Sequence, residues 1–184
     1  MNTSTSASTP TSFSASSSAD ITLDVIDQAV PLAPGDPLHD LRRERLKVVD
    51  ATQGSYDAMF SANVQGVTVV ERLAVALHAC QLSAAHQLAS HYRQRLIDEG
   101  AEPDRLLRAP DARLATILDF AGKLILRPLD GDKSSVEALL AAGLGTPAIV
   151  ALGQLIAFLS YQVRLVAGLQ AMAAADDAAI GAAR

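Results

Sequence analysis

Thr146-Pro147 opens a run, AIVALGQLIAFLSYQVRLVAGLQAM, that is apolar at almost every position and contains no further proline. A segment of this kind has two fates, a helix enclosed by protein or a membrane span. Gln154 interrupts it early, and only 16 residues separate Ala148 from Arg164, short of the ~20 that a bilayer requires. The expectation is a central core helix from Pro147 to Leu169, covered by its own chain or by another subunit. Gly153 and Ala157, four residues apart, would let a second helix backbone approach closely. No membrane partner is expected.

The remaining elements must cover that helix, and they also read as helices. Asp36-Pro37 is an N-cap followed by proline at the first helical position, with Leu38, Leu41 and Val48/Val49 at helical spacing and an interruption expected at Gly54. Thr68 and Glu71 form a capping box that opens a helix carrying Leu73, Ala74 and Leu77 inward. Ser83 is a candidate cap for the next helix, which runs through Leu88, His91, Tyr92 and Leu96 to Gly100. Leu114, Ile117, Leu118, Ala121, Leu124 and Ile125 make one amphipathic stripe that stops before Pro128. Ser134 and Glu137 suggest a second capping box and a short helix ending at Gly143. No run alternates β-branched with polar residues, so the expected fold class is all-α.

A chain of 184 residues with 49% hydrophobic and 19% charged residues suits one domain with tails. Residues 1–35 read as a disordered Ser/Thr-rich tail followed by an extended arm that lies on the domain or on a neighbour. Residues 36–172 read as the helical body and 173–184 as a fraying tail without an apolar face. The formal charge is −5, from 15 Lys+Arg against 20 Asp+Glu, with no basic run, so no nucleic-acid partner is expected. The first cation is Arg42, which gives no early positive charge for a secretory or transit signal, and a cytoplasmic location is expected. Cys80 is the sole cysteine, which excludes a disulfide within one chain, a CxxC redox pair and a Cys-rich zinc site.

The segments ERLAVALHACQLS, DARLATILDFAGKLILRP and VEALLAAGLGTPAIVALGQLIAFLSYQVRLVAGL together resemble the carboxymuconolactone decarboxylase and alkylhydroperoxidase-D-like superfamily, over about residues 38 to 170. The resemblance is strongest to its peroxidase-related branch, through Tyr161, Arg164, Gly168 and Leu169 of the last helix. It implies an all-α fold that assembles into homo-oligomers. It also implies a site with a relay Glu on one helix and a CxxCxxxH motif at the start of the next. There the thiols would be acidified by the helix N-terminus, reduce a peroxide and close to a disulfide. An ungapped match puts the two motif cysteines on Ala85 and Leu88, the His on Tyr92 and the Glu on Leu73, so none of the four is kept. A slip of one residue brings His91 to the His position and a slip of two brings Glu71 to the Glu position, but no slip supplies a second cysteine.

The candidate catalytic residues are therefore His91, Glu71 and Cys80, and the candidate ligand residues are Arg164 and Tyr161. Each has a plainer alternative. Glu71 completes the capping box, Cys80 lies near the C-terminal end of its helix where the dipole disfavours a thiolate, and Tyr161 packs as an amphipathic ring. His91 is a general base or an edge histidine, while His86 and His91, five residues apart, do not share a helix face, so no metal pair is expected. Arg164, inside an apolar helix, is expected to pair with Glu71 or Asp119 or to meet an anionic ligand, and not to be a free surface charge. No cofactor motif is present. Two functions compete: an enzyme of this superfamily, including a cysteine-independent acid/base form resembling the lactone decarboxylases, and a non-catalytic oligomeric module that binds a small molecule or a partner subunit.

Overall fold

A computed structural model describes residues 24–182, with side chains as far as 175. The expected disorder of residues 1–19 lies outside these residues. The described elements are α1 (Val25–Ala29), α2 (Pro37–Arg43), α3 (Leu46–Met59), α4 (Val69–Leu82), α5 (His86–Asp98), α6 (Pro103–Arg108), α7 (Ala112–Leu126), a single 3-10 turn (Pro128–Asp130), α8 (Lys133–Ala141) and α9 (Thr146–Ala182). Among the described residues there is no strand, and the fold is all-α.

The centre of the molecule is α4, not the long apolar helix. Leu73, Ala74, Val75, Ala76, Leu77, Ala79 and Cys80 are all fully buried, and α5, α7 and α9 pack around them. Three alanines in this helix, Ala74, Ala76 and Ala79, let its neighbours approach from several sides. Its start is fixed as the sequence indicated. Thr68 Oγ1 accepts from the Glu71 amide at 3.1 Å and a Glu71 carboxylate oxygen accepts from the Thr68 amide at 2.7 Å. Around α4, Leu88, Tyr92 and Leu96 line the inner face of α5, and Leu114, Ile117, Leu118 and Ala121 line that of α7.

The helix α9 covers one side of α4 with Leu152, Leu155, Ile156, Leu159 and Val166. Its opposite face is uncovered: Val150 is 54% and Tyr161 43% exposed, and Ala157 is exposed. No helix of this chain comes close at Gly153, where a Cβ would meet nothing among the described residues. By length and composition alone, Thr146–Ala175 is long and apolar enough to cross a membrane. Past Met172 the helix continues to Ala182, because alanine has the highest helix propensity and needs no packed face to stay helical.

Several boundaries differ from the sequence reading. The break in the first helical stretch falls at Glu44-Arg45, and Gly54 lies exposed inside α3, where only helix propensity is lost. Ser83 ends α4 instead of opening α5. Ala84 takes φ +53° and the Ala85 amide bonds the Cys80 carbonyl at 2.9 Å, a Schellman closure built on alanine. Asp132, not Ser134, caps α8 by accepting from the Ser135 amide at 2.9 Å. Gly66 is required twice over, by φ +80° and because a Cβ there would lie 2.8 Å from the Ala148 Cβ.

The segment expected as an extended arm forms α1 and joins the core. Ile26 is fully buried, and Asp24 caps the helix through the amides of Ile26 and Asp27. Buried Asp27 is bound by Arg42 and, at 2.5 Å, by Arg43, while Arg42 also reaches Asp24 at 3.0 Å. Two carboxylates and two guanidinium groups thus pin α1 to α2.

Candidate functional site

Two i, i+4 pairs face each other between α3 and α5. On the α3 side are Tyr56 and Phe60; on α5 are His91 and Arg95, spaced so that one helix face presents both. The Arg95 guanidinium lies 5.4 Å from the Tyr56 ring centre and 5.1 Å from that of Phe60, and its Nη1 donates to Tyr56 Oη at 2.8 Å. Tyr56 Oη lies 2.6 Å from His91 Nε2. With Arg95 donating to the phenol oxygen, the phenol hydrogen is free to go to His91, which makes Nε2 the acceptor and puts the imidazole hydrogen on Nδ1.

Burial first, and then the Arg95 charge, lowers the His91 pKa below the ordinary 6.5. Burial raises that of Tyr56 against the pull of Arg95. Next to this pair Tyr92 is fully buried, its hydroxyl donating to Gln162 Oε1 at 2.5 Å, and its pKa stands well above 10.0 because of burial. Fully buried Arg72 completes the cluster without a carboxylate. It donates to the carbonyls of Met59, Ser61 (2.8 Å) and Thr68, so its charge sits at the C-terminal end of α3.

A pH dependence follows. A histidine whose pKa is lower in the folded chain than in the unfolded one binds fewer protons when folded, so its contribution is complete above about pH 6.5 and is lost as the pH falls below that value. Thermal melting should show stability decreasing through this window, and His91→Gln should flatten the decrease. An unchanged profile in His91→Gln would show that burial of His91 does not set this pH dependence.

The other expected site residues are placed elsewhere. Both oxygens of Glu71 are engaged, one in the capping box and the other by Arg113 Nε at 2.7 Å; Arg113 also donates to the Gly66 carbonyl at 2.6 Å. Cys80 is fully buried and burial pushes its pKa from 9.0 up to about 12. Tyr161 shares a 3.2 Å hydrogen bond with Thr52 and lines a recess of about 360 Å³ with Leu41, Val48 and Leu165. Arg164 is exposed, in a different recess with Ser83 and Ile125, and among the described residues donates only to the Ser160 carbonyl at 3.4 Å. The expected ion pair is therefore not made: Glu71 belongs to Arg113 and Asp119 to Lys123 at 2.7 Å. The arginine falls on the uncovered face of α9, exposed to solvent in this chain.

Sequence reasoning missed Tyr56, Arg95 and Gln162. The signal that could have found the first two is the matched i, i+4 spacing of Tyr56/Phe60 and His91/Arg95. Gln162 gave no such signal, because its role depends on which residue of α5 it meets.

The fold is similar to that of a crystal structure of an uncharacterized peroxidase-related protein from Silicibacter sp. TM1040, with a TM-score of 0.64 and 16% sequence identity, over 81% of this chain and 93% of that one. No family model matches the chain, and no curated protein matches it. At this identity the likeness is one of fold.

Proposed function

We propose that this chain is an alkylhydroperoxidase-D-like helical protein that binds a small molecule as a homo-oligomer and has no thiol peroxidase chemistry. The observation that carries the reading is Cys80, a fully buried thiol with its pKa near 12, whereas a peroxide-reducing thiol must be accessible and ionised. The positions to which the resemblance would assign the motif support it. Leu73, Leu88 and Tyr92 are fully buried parts of the core, so the space for a dithiol site is filled by packing. His91 does not replace it as a general base, because its Nε2 is engaged with the Tyr56 hydroxyl at 2.6 Å inside a packed cluster. The uncovered stripe of Val150, Ala157 and Tyr161 on α9 is the surface assigned to a second subunit.

The test is a peroxide consumption assay with a dithiol recycling system, on wild type and Cys80→Ser, with light scattering on wild type and Ala157→Asp. No turnover above the uncatalysed rate is expected from either protein, and the aspartate should shift an oligomer toward monomer. Turnover that disappears in Cys80→Ser would overturn the chemical part of the reading. A wild-type monomer would overturn the assembly part.

A further inference from the structure

His78 lies on α4, half-buried, and its ring makes no hydrogen bond to any described residue. It opens onto a solvent-open cavity of about 410 Å³ between α4 and α7, lined by Leu82, Leu107, Leu118 and the exposed Leu126. Small-molecule sites have volumes of ~300–1,000 Å³, an apolar wall and a few placed polar groups. No described residue engages the His78 imidazole, whose nitrogens open onto the cavity and are not shut in the core.

The floor of the cavity beside the imidazole is Gly122, in the interior of α7. A Cβ at this position would lie 3.6 Å from His78 Nε2 and 3.7 Å from Leu82 Cδ1, which are ordinary contacts. Neither backbone conformation nor crowding calls for glycine, and a glycine inside a helix costs roughly 1 kcal/mol relative to alanine. What the missing methyl provides is room next to Nε2. At the rim are Lys123 and Arg127 with one carboxylate, Asp119. Lys123 holds Asp119 at 2.7 Å, and Arg127 uses Nε for Asp130 at 2.9 Å, which leaves its Nη groups without a hydrogen bond among the described residues.

We infer that this cavity binds a small carboxylic acid with an apolar body, the body against the leucine wall and a carboxylate oxygen accepting from His78 Nε2–H beside Gly122. The inference rests on the small-molecule reading above and names its ligand class. Lys123 and Arg127 are paired with Asp119 and Asp130, so it is the unused Nη donors of Arg127 that favour the acid over an uncharged analogue. Burial, by lowering the His78 pKa, keeps the ring neutral, and as the Nε2–H tautomer it serves as a hydrogen-bond donor.

Titration calorimetry of the full chain with decanoate, with decanol as the uncharged counterpart, tests this. Saturable decanoate binding is expected, weakened ~10-fold or more in both Gly122→Ala and His78→Leu, with decanol clearly weaker. Gly122→Ala should at the same time raise the melting temperature, a result that separates a binding role from a packing role. Absence of saturable binding, or binding unchanged in both variants, would overturn the assignment, and decanol binding as tightly as decanoate would overturn the ligand class. Decanoate affinity that rises on dilution as the oligomer dissociates would give the cavity to a second copy of the chain, which also overturns it. Cys80-dependent peroxide turnover with decanoate binding intact would overturn the functional reading and leave the cavity assignment standing.

Discussion

Asp27→Ala should lower the stability of the protein by about 3–5 kcal/mol, the range found when one partner of a buried ion pair is removed. Asp27 is fully buried and accepts from both Arg42 and Arg43, while Asp24 serves Arg42 alone. Removing it leaves two guanidinium groups against one carboxylate, and Arg43, whose Nη1 already lacks a hydrogen bond, loses the carboxylate that raises its pKa. Because whole-domain stabilities are on the order of 5–15 kcal/mol, this is a large fraction of the total. Urea unfolding followed by circular dichroism should show the midpoint falling with the slope little changed. A loss below about 1 kcal/mol would show that α1 is not held to α2 by this cluster.

Cys80 should react with iodoacetamide on the order of 1,000-fold more slowly in the native protein than in the unfolded chain at mildly alkaline pH. The factor comes from the thiolate population alone, since the pKa rises from 9.0 to about 12 and each unit is tenfold. Exclusion of the reagent from a fully buried site slows it further. Mass spectrometry after timed quenching measures both rates, with guanidinium chloride providing the unfolded reference. Rapid stoichiometric labelling of the native protein would show that the α4 core opens readily and would reinstate the thiol as a reactive group.

Local rules carried the sequence reading where one hydrogen bond or one periodicity decides the outcome. Thr68 and Glu71 made the capping box, and the stripe from Leu114 to Ala121 faced the core as its spacing indicated. Gly100 fell just past α5 with φ +74°. Competing local rules were harder. Ser83 and Ser134 are good caps, but the chain used Ala85 and Asp132, because Ala84 had already closed α4 and because Asp132 accepts from both the Ser135 amide and the Ser134 hydroxyl. Long-range outcomes were not legible. Whether Arg164 meets a carboxylate, whether α4 or α9 is enclosed, and which residue answers the Tyr92 hydroxyl all depend on how whole helices pack. Even the buried α1 was hidden, because its five residues carry too short a pattern to read and owe their place to arginines more than a dozen residues away.

The enclosure of α4 also sets an order of events during synthesis. Nascent chains fold from the N-terminus as they emerge, yet α4 is surrounded on one side by Leu152, Leu155 and Leu159, which are made some seventy residues after it. Until α9 leaves the ribosome, the leucines and alanines of α4 have an open flank, and earlier helices cannot close it. The growing chain therefore carries this apolar flank of α4 unprotected while some seventy further residues are made. Its yield in a cell depends on how well that interval is guarded, as well as on the stability of the finished fold.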